Sequence, residues 1–210
     1  LKATGDAETI AAVNCFEGLL RFNNNGEITL AGATKYSISG DGLTYTFSLN
    51  PKANWYIAEL NEGILGETDF DTRVTAYDYV YTIKKVIADK LKGYENYSYI
   101  RGVKEYYNGE GDLDSILVTA LDDLTLEIIL VEPHSEILST LAESSGAPSS
   151  ENFASLVEGV YGTTASSVIC NGPYYIAESN KGKSLVLKRN PKYKGRTKAN
   201  NAQINLNLQK

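Results

Sequence analysis

Methionine is absent from the 210 residues, histidine and tryptophan occur once each, and cysteine twice. The lone His134 has no second histidine with which to hold a metal. It also has no Gly-x-Ser-x-Gly turn offering a serine for it to activate, so it reads as an exposed loop histidine after Pro133. Cys15 and Cys170 are too few for a disulfide-stapled scaffold and wrongly spaced for a zinc site. There is no Gly-x-Gly-x-x-Gly fingerprint and no Gly-Lys-Ser/Thr phosphate loop, so no cofactor is expected. No apolar run is long enough to span a bilayer, and Leu1 does not open a leader pattern. The lack of methionine fits a segment of a longer precursor, or modified methionines dropped from the written sequence. An excess of positive charge is lacking too: net charge −6 and pI near 4.9 argue against a nucleic-acid partner. The lysines at 181, 183, 188, 192, 194 and 198 form a local basic stretch that reads as solvated surface.

What is present is an ordinary globular composition, 42% hydrophobic and 22% charged, long enough for one sizeable core or two small subdomains. The one oddity is 15 tyrosines against 5 phenylalanines. A tyrosine offers a flat apolar face and a hydroxyl that still wants a partner, which suits wet grooves as well as element margins.

Periodicity supplies the elements. Ala7, Ile10, Ala11, Val13, Asn14 and Phe16 form a helical stripe capped by Asp6 and ending near Gly18. Leu19 to Phe22 reads as a strand, and Tyr36–Ser39 with Thr44–Leu49 as a hairpin around Gly40-Asp41-Gly42. Between Trp55 and Arg73 there is no sustained period, so an irregular surface loop is expected. Thr75-Ala76-Tyr77-Asp78 is an acidic capping box opening a long helix with Val80, Ile83, Ile87 and Leu91 on one stripe. Tyr94 to Tyr107 is expected to be a second helix ending at Asn108-Gly109. Ile116–Ala120 and Thr125–Glu132 form a strand pair stopped by Pro133, followed by short helices at Ser135–Leu141 and Ser150–Val160. From Ala165 onward strands return.

Four strings carry more than periodicity. They are Cys15-Phe16-Glu17-Gly18-Leu19-Leu20, Asn54-Trp55 leading to Val74-Thr75-Ala76-Tyr77-Asp78-Tyr79, Ala120-Leu121-Asp122-Asp123-Leu124-Thr125-Leu126-Glu127, and Asn171-Gly172-Pro173-Tyr174-Tyr175 followed by Arg189-Asn190-Pro191-Lys192-Tyr193. In Asn171-Gly172-Pro173 the glycine supplies freedom in φ while the proline fixes it. In order and spacing these strings resemble the first lobe of extracytoplasmic solute-binding proteins of the peptide and nickel class, the receptors of ABC importers.

The resemblance implies a mixed α/β fold, a periplasmic-binding-protein-like lobe. A mixed-sheet subdomain would come from 1–50 and 163–210, with an α/β subdomain from 51–162 inserted between them. The chain is then expected to lack a second lobe, crossing into it near Leu208. The implied function is capture of short peptides outside the membrane for delivery to the permease, with no catalysis and with a lipid anchor outside this segment. Nickel, heme or sugar cargo stays open. Tyr94, Tyr97 and Tyr99 correspond to the tyrosine that lines the family's cleft, although a packing role for them stays open as well. The segment 56–73, with Glu59, Glu62, Glu67, Asp69 and Asp71, is longer than the family's usual crossing. Cys15 and Cys170 are expected to lie close together in one subdomain, bonded or free. The alternatives outside this family are an extracellular glycan-binding module and a glycoside hydrolase built from acidic and aromatic groove residues.

Overall fold

The computed structural model describes residues 6–207, with side chains from residue 9. The side chains of Asp6 and Ala7 and the crossing expected near Leu208 lie outside the described residues. In chain order the elements begin with α1 (Asp6–Cys15), β1 (Leu20–Phe22), β2 (Ile28–Leu30), β3 (Ala33–Ile38) and β4 (Thr44–Leu49). They continue with α2 (Glu59–Leu65), α3 (Ala76–Ala88), α4 (Val103–Asn108), β5 (Val118–Asp122), β6 (Thr125–Ile129), α5 (Ile137–Ala142) and α6 (Glu151–Leu156). The last are β7 (Tyr174–Asn180), β8 (Ser184–Arg189) and β9 (Gln203–Asn207).

Contacts gather these elements into two compact units, one from the described parts of Leu1–Glu17, Lys52–Val74 and Ser150–Lys210, the other from Gly18–Pro51 and Thr75–Ser149. This grouping differs from the expected 1–50 plus 163–210 against 51–162. Gly18–Pro51 joins the central segment because β4 pairs antiparallel with β6, Phe47 facing Leu126, in a sheet of order β3-β4-β6-β5. Lys52–Val74 joins the chain ends because Tyr56 N–H donates to the Cys170 carbonyl at 2.8 Å and Asn61 is tied to the 166–168 segment.

In the unit built on the four-stranded sheet, β4 and β6 alternate buried and half-buried residues, so Tyr45, Phe47, Leu49, Leu126 and Ile128 share the inner face. Helix α3 lays Ala76, Tyr79, Ile83, Val86 and Ile87 in that core. Ile83 and Ile87 keep their expected places, while Val80 and Leu91 are only half-buried. The helix opens as its sequence indicates: Thr75 N–H donates to the Asp78 carboxylate at 2.7 Å. The single helix expected over Tyr94–Tyr107 is instead a 3-10 turn at Tyr94–Tyr97, a bridging segment, and α4. Gly102 breaks it with φ +92, and a Cβ there would sit 2.2 Å from the Ser115 carbonyl oxygen. The residues just before it hydrogen-bond beside β6, Val131 N–H to Tyr99 O and Arg101 N–H to Ile129 O, both 2.9 Å.

In the other unit β7, β8 and β9 form an antiparallel sheet, with the β7–β8 turn closed by Lys183 N–H on Asn180 O at 2.8 Å. Its core holds Ala11, Cys15, Val168, Cys170, Tyr174, Ile176, Leu185 and Leu187. The stripe expected of α1 is displaced. Ala11, Ala12 and Cys15 face inward, while Ile10 and Val13 are 42% and 58% exposed. The reason lies at Gly172, whose N–H donates to the Cys15 carbonyl at 2.8 Å and where a Cβ would stand 2.6 Å from the Cys15 carbonyl carbon. Gly172 is not among the residues of positive φ, so close approach and not conformational freedom explains the glycine.

The segment 56–73 is not wholly irregular, since it contains α2. Its inward residue is Asn61, 2% exposed, whose Oδ1 accepts from Ala58 N–H at 3.0 Å. Its Nδ2 donates to the carbonyls of Ser166 at 2.8 Å and Val168 at 3.1 Å. A short helix anchored by a polar residue leaves no apolar period to read.

Candidate ligand-binding site

The three tyrosines expected to meet ligand all lie in the unit with the four-stranded sheet, but in different environments. Tyr97 is fully buried and pinned in the core. Burial pushes its phenol well above the ordinary value, with the nearby Ser145 hydroxyl opposing. Yet neither hydroxyl has a well-formed hydrogen bond among the described residues. Tyr94 is half-buried and meets Tyr107 edge-on, ring centroids 6.0 Å apart. Tyr107 donates to the Ile87 carbonyl at 2.8 Å, and Lys90 Nζ stands 5.3 Å from its ring centroid. Desolvation, then the phenols of Tyr94 and Tyr106, push the Tyr107 phenol up to about 12.

Tyr99 differs from both. Its carbonyl accepts from Val131 N–H just beyond β6, and its half-buried ring stacks on His134 with centroids 3.4 Å apart and planes 14° from parallel. His134 is therefore not the exposed loop histidine the sequence suggests. Its side chain is 20% exposed, between the tyrosine ring and the Glu136 carboxylate 3.5 Å from Nε2. No local pattern could have paired residues 99 and 134, because the pairing follows from the bridge between Ile100 and Leu130. Tyr97 ends a 3-10 turn and Ser98 keeps helical backbone (φ −60, ψ −20), so the spacing of two turns the rings to different sides, one inward and the other partly open.

The unit with the three-stranded sheet has a cavity of about 330 Å³ lined by Asn54, Trp55, Ile57, Thr72, Pro191, Lys192 and Lys194. The described residues contain no cluster of three or more histidine, cysteine or acidic side chains able to hold a metal, and no helix long and apolar enough to cross a membrane.

Two of the quoted strings, the one around Glu17 and the one from Asn171 to Tyr193, meet in that same unit. Glu17 N–H donates to Asn171 Oδ1 at 2.9 Å and its carbonyl accepts from Asn171 Nδ2 at 3.0 Å. Asn190 Nδ2 donates to the Gly172 carbonyl at 2.9 Å, and the Tyr193 hydroxyl donates to the Glu17 carboxylate. These two strings thus make one hydrogen-bonded joint. Residues 27–209 match the profile of the bacterial extracellular solute-binding proteins, family 5. The chain belongs to that family.

Among curated relatives of this family, the oligopeptide-binding protein SarA of Streptococcus gordonii is 31% identical over 191 residues, covering 89% of this chain and 28% of SarA. The dipeptide-binding protein DppE of Bacillus subtilis is 30% identical over 183 residues, covering 86% of this chain and 31% of DppE. The fold of Listeria monocytogenes OppA bound to peptide superposes with a TM-score of 0.83 at 25% identity, over 99% of this chain and 39% of OppA. The chain thus spans about a third of the length of the relatives it matches. Its mixed α/β architecture is that of the periplasmic-binding-protein-like OppA group. The alternative as a glycan-binding module or glycoside hydrolase finds no support in these comparisons.

Proposed function

We propose that the chain serves as part of the substrate-binding component of an ABC importer, capturing short peptides outside the membrane and delivering them to the permease without catalysis. The observation that carries this is the family match over residues 27–209, together with the likeness to peptide-bound OppA. Because the matched relatives are about three times as long, the chain supplies one lobe, and a second lobe completes the peptide site. A lipid anchor outside this segment holds the receptor at the cell surface. Of the three tyrosines, Tyr99 is the residue best placed to touch ligand, since its ring is partly open and held rigid by His134. Tyr94, half-buried against Tyr107, and Tyr97, closed in the core, are less well placed to touch it.

A receptor of this kind gains affinity from backbone pairing and hydrated side-chain pockets, so it tolerates varied sequences. Calorimetric titration with peptides of two to eight residues tests the reading. The complete receptor is expected to bind them saturably and this chain alone only weakly, because closure needs both halves. Saturable binding of oligosaccharides but not peptides by the complete receptor would overturn it.

A further inference from the structure

Peptide capture leaves two nucleophiles unused. Cys15 ends α1, Cys170 lies just before Gly172, and both are free thiols buried to within 1% in one apolar cluster. Backbone hydrogen bonds fix both residues. The Cys15 carbonyl accepts from Gly172 N–H, and the Cys170 carbonyl accepts from Tyr56 N–H, each at 2.8 Å. Both side chains enter the same apolar cluster, with the Cys170 thiol beside that of Cys15. Burial, then that contact, pushes the Cys15 thiol well above its ordinary value. As a thiolate is the reactive form, burial puts both thiols out of an oxidant's reach, and Cys15 is held in its thiol form besides.

We propose that Cys15 and Cys170 are joined by a disulfide when the chain folds in an oxidising compartment, and that the bond closes before α1 docks against the strand leading to Gly172. The reaction is thiol–disulfide exchange with a small-molecule or enzyme-borne disulfide. The thiolate of one cysteine attacks the oxidant, releasing one thiol. The thiolate of the other then attacks the mixed disulfide and releases the second. The two cysteines lose two electrons and two protons, and the oxidant is reduced to two thiols. Once α1 is docked, neither step has an accessible thiolate. A chain that folds reduced therefore stays reduced, and one that folds oxidised carries a covalent tie between its first helix and the β7–β8–β9 unit. This inference is independent of which ligand the receptor carries.

The test compares the 210-residue chain exported to a bacterial periplasm with the same chain made in a reducing cytoplasm. Each is denatured, treated with iodoacetamide and weighed intact. The exported chain is expected to take no adduct and to be lighter by two hydrogen atoms, whereas the cytoplasmic chain takes two adducts. The cytoplasmic chain kept native in oxidised glutathione is expected to remain reduced. The same chain unfolded and refolded in a glutathione buffer is expected to form the bond. Two adducts on both the exported and the refolded chain would overturn the disulfide. Native protein that oxidises as fast as unfolded protein would overturn the order of events.

Discussion

The Tyr193 hydroxyl donates to the carboxylate of Glu17 across 176 positions of sequence, and Glu17 is only 6% exposed. The same phenol oxygen accepts from Thr197 N–H at 3.0 Å, so one ring closes the end of the Asn190–Tyr193 turn over the start of the chain. A buried carboxylate is tolerated only when its lone pairs are met. Tyr193→Phe removes a donor and keeps the ring. It is expected to lower unfolding free energy by about 1–3 kcal/mol in urea titration, with an unchanged slope. A loss below that range would mean water replaces the hydroxyl.

The same contact sets a pH dependence. Burial, then the Glu17 charge and its hydrogen bond, hold the Tyr193 phenol above its ordinary value. Tyr97 is raised mainly by burial, and Tyr107 to about 12 by desolvation and neighbouring phenols. A raised folded pKa means that the native state keeps protons which the unfolded chain loses near pH 10. Stability is thus fully present below the unfolded value and falls as pH rises above it toward the folded values. Thermal melts from pH 8.5 to 11.5 are expected to show a plateau and then a steady decline. The decline should be shallower in Tyr193→Phe. Equal slopes in both proteins would remove Tyr193 from the account.

Gly172 and Gly40 make a matched pair for the packing argument. A methyl at Gly172 meets Cys15 backbone at 2.6 Å, whereas one at Gly40 has nothing within 4 Å and neither residue has a positive φ. Backbone cannot rotate away, so Gly172→Ala is expected to cost about 2–4 kcal/mol. Gly40→Ala should be neutral or slightly stabilising through the unfolded chain. Calorimetric melting of the two variants decides it, and equal melting temperatures would refute the close-approach reading.

How much of this was readable in advance depends on the range of the interaction. The Thr75–Asp78 box, the β3–β4 hairpin and the β7–β8 turn are local, and each stands where its residues place it. The family strings were legible for a different reason, since a joint such as Glu17 with Asn171 ties its residues into one pattern. Sheet partners were not legible. The alternation in β4 suits β6 as well as it suits any amphipathic strand, so the grouping of Gly18–Pro51 with the central segment could not be derived. Helix α2 was hidden because Asn61, not an apolar residue, points inward. Of the candidate site, the tyrosines were nameable, but their burial was decided by Gly102 and the bridge to Leu130.

Four substitutions, two at Tyr97 and one each at Tyr99 and His134, separate structure from recognition. Tyr97 is a core ring whose hydroxyl has no well-formed hydrogen bond among the described residues, so Tyr97→Phe is expected to leave stability unchanged or raise it by up to about 1 kcal/mol. Tyr97→Ala should lose about 3–5 kcal/mol through the cavity it opens. Tyr99 is half-buried against His134, so Tyr99→Ala should cost only about 1 kcal/mol in the ligand-free protein. In the complete receptor that variant is expected to weaken peptide affinity roughly tenfold, the loss of one ordinary side-chain contact. His134→Ala should reproduce part of the affinity loss, because an unsupported ring must be ordered on binding. Urea unfolding of the free protein and peptide titration of the complete receptor, run on all four variants, give the two readouts. If Tyr99→Ala and His134→Ala leave affinity intact while both destabilise the free protein by several kcal/mol, the stacked pair is packing and the ligand contact lies elsewhere.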